Sequence, residues 1–101
     1  MINVIVSYTV QPGFVESNKN NIRLFLKDFQ ELDTHHFSYE VLLKEDGVTF
    51  VHISSYENKD IQQQILNVPS FLEFQRKRDE SGLNDSHKVA VMEFIGSSNS
   101  Q

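Results

Sequence analysis

The chain has 101 residues, 39% of them hydrophobic, with eight Phe, three Tyr and a formal net charge of −5. That apolar content suits one packed domain and argues against disorder, while an acidic surface repels phosphate backbones, so no nucleic acid is expected as a partner. The absence of cysteine excludes disulfides, thiolate nucleophiles and cysteine-ligated zinc or iron–sulfur clusters. The N-terminus lacks the basic start and apolar run of a signal peptide, and no apolar stretch reaches the ~20 residues that span a bilayer. A cytoplasmic protein without membrane contact is expected.

Residues 2–10 alternate Ile2, Val4, Val6, Tyr8 and Val10 against Asn3, Ile5, Ser7 and Thr9, which predicts a strand. Gln11-Pro12-Gly13 breaks it. Ile22, Phe25, Leu26, Phe29 and Leu32 then recur at helical spacing, with Asn18, Lys19, Arg23, Lys27 and Gln30 assigned to a solvent face. Residues 37–44 alternate again, Asp46-Gly47 signals a hairpin, and 48–56 form the return strand. On that strand Val48, Phe50, His52, Ser54 and Tyr56 share one face. A helix broken at Pro69 is predicted from about residue 58 to about 78, capped at Asn58. Arg76-Lys77-Arg78 reads as its solvated end, where cations suit the helix dipole. A last strand covers 87–95.

The order β-α-β-β-α-β is that of an α+β, ferredoxin-like antiparallel sheet with two helices on one face. It forms a single domain over 1–96, followed by a flexible tail over 97–101. The strands are apolar on both faces: Ile5 sits beside Val4 and Val6, and Met92 and Phe94 beside Val91 and Ile95. Two-sided strands need a second layer. A homodimer with two sheets face to face, a dimeric α+β barrel, supplies it.

Several motifs fit this architecture: Val10-Gln11-Pro12-Gly13, Phe37-Ser38-Tyr39-Glu40, Phe50-Val51-His52-Ile53, Tyr56-Glu57 leading to Ile61, and Pro69-Ser70-Phe71-Leu72-Glu73-Phe74. Their order and spacing over residues 2–95 resemble the antibiotic-biosynthesis-monooxygenase (ABM) domain group of the dimeric α+β barrels. The resemblance implies a pocket between helices and sheet that takes a small aromatic ligand. A phenolic or quinol substrate would react there with oxygen, with no metal and no cofactor. Many members carry a His in the second helix where this chain has Gln63, Gln64 and Ile65. Haem-degrading relatives use an Asn, a Trp and a His where this chain has Ser7, Ile65 and Gln75, so haem degradation is not implied.

Such a reaction needs a base and an aromatic-lined pocket. His52, in mid-strand, is the candidate base. Tyr39, Tyr56 and Ser7 are candidate polar contacts to substrate, and Phe25 and Phe74 candidate walls. Tyr8 shares the ambiguity of the other tyrosines. The competing reading makes His52 structural, Ser7 an ordinary strand residue, and the phenylalanines plain core. The protein is then a non-catalytic ligand-binding or self-assembling barrel. His35-His36 is not expected to bind metal, because adjacent side chains near a strand start point apart.

Overall fold

The structure is a computed structural model in which residues 1–99 are described. The first strand, β1 (Ile2–Thr9), leads through a 3₁₀ turn (Pro12–Phe14) into α1 (Val15–Gln30). There follow β2 (Phe37–Leu43), β3 (Thr49–Tyr56), α2 (Lys59–Leu66), α3 (Pro69–Glu80) and β4 (Lys88–Met92). The four strands form one antiparallel sheet in the order β2-β3-β1-β4. Among the described residues, no helix is long and apolar enough to cross a membrane.

Local chemistry sets the boundaries. The Asn58 side chain accepts the Ile61 N–H at 2.9 Å and starts α2. Val68 is extended, as the residue before a proline must be, so α2 ends there and Pro69 opens α3. In the β2–β3 hairpin, Asp46 Oδ1 accepts the Val48 and Thr49 N–H groups, each at 2.9 Å, and Gly47 takes a φ of 76°. The Thr49 hydroxyl, donating to Asp46 Oδ2 at 2.6 Å, and then these N–H bonds hold the Asp46 carboxyl below its usual range.

Strand register sorts the side chains by face. Val6 pairs with His52 and Val89, and His52 pairs in turn with Val41. This row faces the helices. Phe25 and Phe29 of α1 and Phe71 and Phe74 of α3 close over it, burying Val4, Tyr8, Phe50 and Tyr56. The opposite face carries Ile5, Ser7, Val51, Ile53, Ala90 and Met92, and among the described residues no layer covers it.

Three sequence expectations are corrected. The last strand ends at Met92 rather than residue 95, because its neighbour among the described strands, β1, is nearly at its end: Met92 already pairs with Asn3, the second residue of β1. Asn18 belongs to the core and is fully buried. It stands four residues before Ile22, in step with Phe25 and Phe29, on the stripe that faces the sheet. Arg78 is likewise buried rather than solvated, since it continues the stripe of Phe71 and Phe74. Of the expected tail, residues 97–99 form neither helix nor strand, and residues 100 and 101 lie outside the described residues.

Candidate functional site

His52 sits at the centre of the sheet and is 2% exposed. Its ring lies between the aromatic rings of Phe25 (6.2 Å), Phe74 (5.4 Å), Tyr8 (5.3 Å) and Tyr39 (5.6 Å). Both ring nitrogens are engaged: Nε2 is 2.8 Å from Tyr8 Oη, and Nδ1 is 2.8 Å from Tyr39 Oη. Asn18 Nδ2 donates to the same Tyr8 oxygen at 3.0 Å. A row of four side chains, buried at Asn18, Tyr8 and His52 and partly buried at Tyr39, therefore runs Asn18–Tyr8–His52–Tyr39.

Hydrogen counting gives the row a direction. Burial, with the positive charges of Arg78 and His87 adding to it, pushes the His52 pKa down to about 3, so the ring is neutral near pH 7. A neutral imidazole has one N–H and one lone pair. If Nε2 carried the hydrogen, Tyr8 would accept from both His52 and Asn18, leaving its own buried O–H without an acceptor. Such a stranded donor costs about 1–3 kcal/mol. Turning the Asn18 amide over relieves Tyr8 but strands two amide N–H donors in place of one carbonyl oxygen. The favoured arrangement has Tyr8 donating to Nε2 and Nδ1–H donating to Tyr39, whose own O–H is left to donate elsewhere. Burial raises the pKa values of Tyr8, Tyr39 and Tyr56, so all three phenols keep their protons.

His52 and Tyr39 form part of the wall of a cavity of about 200 Å³ between sheet and helices. Val4, Val6, Ser54 and Tyr56 extend that wall along the sheet, and Leu66, Phe71, Gln75 and Arg78 cover it from α2 and α3. Gln62, His87 and Val89 complete the lining. The Arg78 side chain is 7% exposed, with its guanidinium 5.1 Å from the Tyr8 ring centre and 5.4 Å from that of Phe74. Larger grooves of about 250 and 410 Å³ run along the β2 edge, but of the row only Tyr39 reaches either.

Of the residues singled out in the sequence, His52, Tyr39 and Tyr56 meet at this cavity. Ser7 does not join them: strand alternation puts it on the opposite face, paired with Val51 and Lys88. Phe25 and Phe74 do not line the cavity either. They are fully buried behind it and pack on the His52 ring. Asn18 and Arg78 were missed, though both carry a sequence signal as polar residues at the spacing of an apolar stripe. His36 bonds Glu57, which raises its pKa, and His35 bonds Asp33. Among the described residues, no three His, Cys, Asp or Glu side chains gather as a metal site requires.

Neither the protein-family models nor the curated proteins include a match to this sequence. Solved structures do match. A crystal structure of an antibiotic biosynthesis monooxygenase superposes with a TM-score of 0.80 at 12% identity, covering 95% of this chain and 100% of that one. Rv0793 from Mycobacterium tuberculosis gives 0.79 at 16%, covering 97% and 98%. SnoaB, a cofactor-independent oxygenase from Streptomyces nogalater, gives 0.67 at 16%, covering 98% and 97%. At these identities the likeness is one of fold, and in fold this chain matches the antibiotic biosynthesis monooxygenases along nearly its whole length.

Proposed function

We propose that the protein is a cofactor-independent monooxygenase for a small phenolic or quinol substrate, built as a homodimer, with the cavity beside His52 as its active site. The observation that supports this most is the row Asn18–Tyr8–His52–Tyr39 ending at the cavity wall. SnoaB, a cofactor-independent oxygenase, is a precedent for such chemistry on this fold.

The reaction balances without a separate reductant. A simple quinol and dioxygen give a hydroxyquinone and water. One oxygen atom enters at a ring C–H, the other leaves as water, and the substrate supplies all four electrons. The protein's task is to remove a phenol proton and hold the electron-rich anion in a water-poor site. To accept that proton at Nδ1, His52 shifts its own hydrogen to Nε2, the less favoured tautomer, at the cost of about 1–3 kcal/mol for the stranded Tyr8 O–H. The phenolate formed beside it favours the imidazolium, which opposes the depression due to burial and to Arg78. Tyr39 and Tyr56 offer hydroxyls to the substrate oxygens, and Phe25 and Phe74 fix the plane of the His52 ring.

The test is oxygen uptake by metal-stripped protein with small quinols and phenols, beside His52→Ala. Loss of a proton-transfer group lowers a rate about 10²–10⁴-fold, and uptake should fall by that much. Uptake surviving in the variant would remove His52 as base. The second reading, a non-catalytic ligand-binding barrel, draws on the engagement of both His52 nitrogens. No uptake with any compound would favour it.

A further inference from the structure

The row around His52 leaves one feature of the cavity unused, the cation at its helical side. Arg78 carries its charge to a site nine-tenths buried, and long charged side chains are seldom buried without a partner. Its carboxylate partner is the adjacent Asp79, whose Oδ1 lies 3.0 Å from both Nε and Nη2 and which is itself 61% exposed. Among the described residues, no carboxylate lines the cavity. The charge therefore faces a space that offers it aromatic rings and neutral polar groups. Gln75, on the same wall, adds a further amide.

Size narrows the occupant. An apolar cavity of about 150 Å³ holds benzene, so about 200 Å³ admits one aromatic ring with small polar substituents rather than a fused three-ring skeleton. The walls suit that ring: Leu66 and Phe71 supply apolar surface. The polar groups lie on two sides of it. Arg78 packs on Tyr8 and Phe74, and His52 packs on the same two rings, so one small molecule reaches both.

We infer that the cavity takes a single-ring aromatic acid bearing a phenol hydroxyl, its carboxylate on Arg78 and its hydroxyl at Tyr39 and His52. The inference rests on reading this cavity as the substrate site, and it adds the anionic group and the one-ring limit. Asp79 takes the Nε–Nη2 edge of the guanidinium, and the Nη1 end is the part that would donate to a ligand carboxylate.

Calorimetric titration with para-hydroxybenzoate, its neutral isostere para-hydroxybenzamide and anthracene-carboxylate tests it. The first should bind about ten- to hundredfold tighter than the second, as a charge-assisted bond in a buried site implies, and the third should not bind. Arg78→Met should remove the preference of acid over amide, and Arg78→Lys should keep part of it. Equal affinities for acid and amide, binding of neither, tight binding of the three-ring acid, or a preference that survives Arg78→Met would overturn the inference. Should Arg78→Met fail to fold, the acid–amide comparison on the unaltered protein still decides. The readout is binding, so acid preference without oxygen uptake would sink the oxygenase and keep the anion site. Oxygen uptake with neutral phenols alone would do the reverse.

Discussion

A neutral histidine in the middle of a core makes the fold sensitive to acid. The unfolded His52 titrates near its ordinary value of about 6.5, the folded one at about 3. Between those values the unfolded chain binds a proton that the folded one refuses, so stability rises with pH across that window and is lost as pH falls. The slope from one such proton is up to about 1.4 kcal/mol per pH unit. His36 works the other way: Glu57 raises its pKa, so its contribution is present at low pH and fades as pH rises through the raised value. Urea unfolding from pH 7 to pH 5, above most carboxylate titrations, should show the protein weakening, and His52→Gln should flatten the trend. An unchanged slope in the variant would mean that His52 is not the group responsible. Tyr8→Phe should cost about 1–3 kcal/mol, because the Asn18 amide loses its buried acceptor. Adding Asn18→Leu should recover part of that loss, since removing both partners of a buried bond costs less than removing one. Strictly additive losses would show that the pair does not interact. His52, Tyr39 and Tyr56 were legible because strand alternation assigns a face without ambiguity. Asn18 and Arg78 were not, because their polarity points to solvent, while their spacing from Phe25 and Phe74 puts them in the core.

Strands and helices were recovered almost to their ends, and the exceptions have local causes. The break at Pro69 showed in the sequence because proline constrains the residue before it, and Val68 is extended accordingly. The hairpin showed because Asp-Gly is a strong turn signal. The sequence did not reveal that the Asp46 carboxylate also ties down Thr49, through its N–H and its hydroxyl. The overrun of β4 to residue 95 came from apolar alternation continuing past the end of its partner strand, where pairing cannot follow. The cap of α2 bears directly on the cavity, because Gln62 and Leu66 reach it from that helix. Asn58→Ala should destabilise the fold by about 1 kcal/mol, the usual worth of such a cap. Chemical unfolding measures the loss. The Asn58→Ser variant, which keeps a capping oxygen, should lose less than the alanine variant. Equal losses would assign the effect to something other than the cap.

At the scale of the whole molecule, the sheet has one covered face and one bare one. The bare face presents Ile5, Ile53 and Met92, with Leu42 exposed on β2 and Phe94 beyond the end of β4. Near β4 the bareness extends to the helical side: Val89 and Val91 share a face with Val6 and Val4, yet Val91 is 76% exposed because no helix reaches that far. Apolar surface spread over both sides of one edge strand is what a monomer avoids and an assembly uses. Two such sheets packed face to face at about 10 Å would bury it, and this is the geometry of the proposed homodimer. Ile53 is the place to probe it, because it lies on a central strand, points away from the helices and is 38% exposed in the single chain. A lysine there leaves the helix-side core intact. In sedimentation velocity at micromolar concentration the unaltered chain should run as a dimer, and Ile53→Lys as a folded monomer with an unchanged far-ultraviolet spectrum. A monomeric parent would remove the face-to-face model. A dimeric, fully folded Ile53→Lys would move the contact from the centre of the sheet to the β4 edge, where Val91→Asp then becomes the deciding variant.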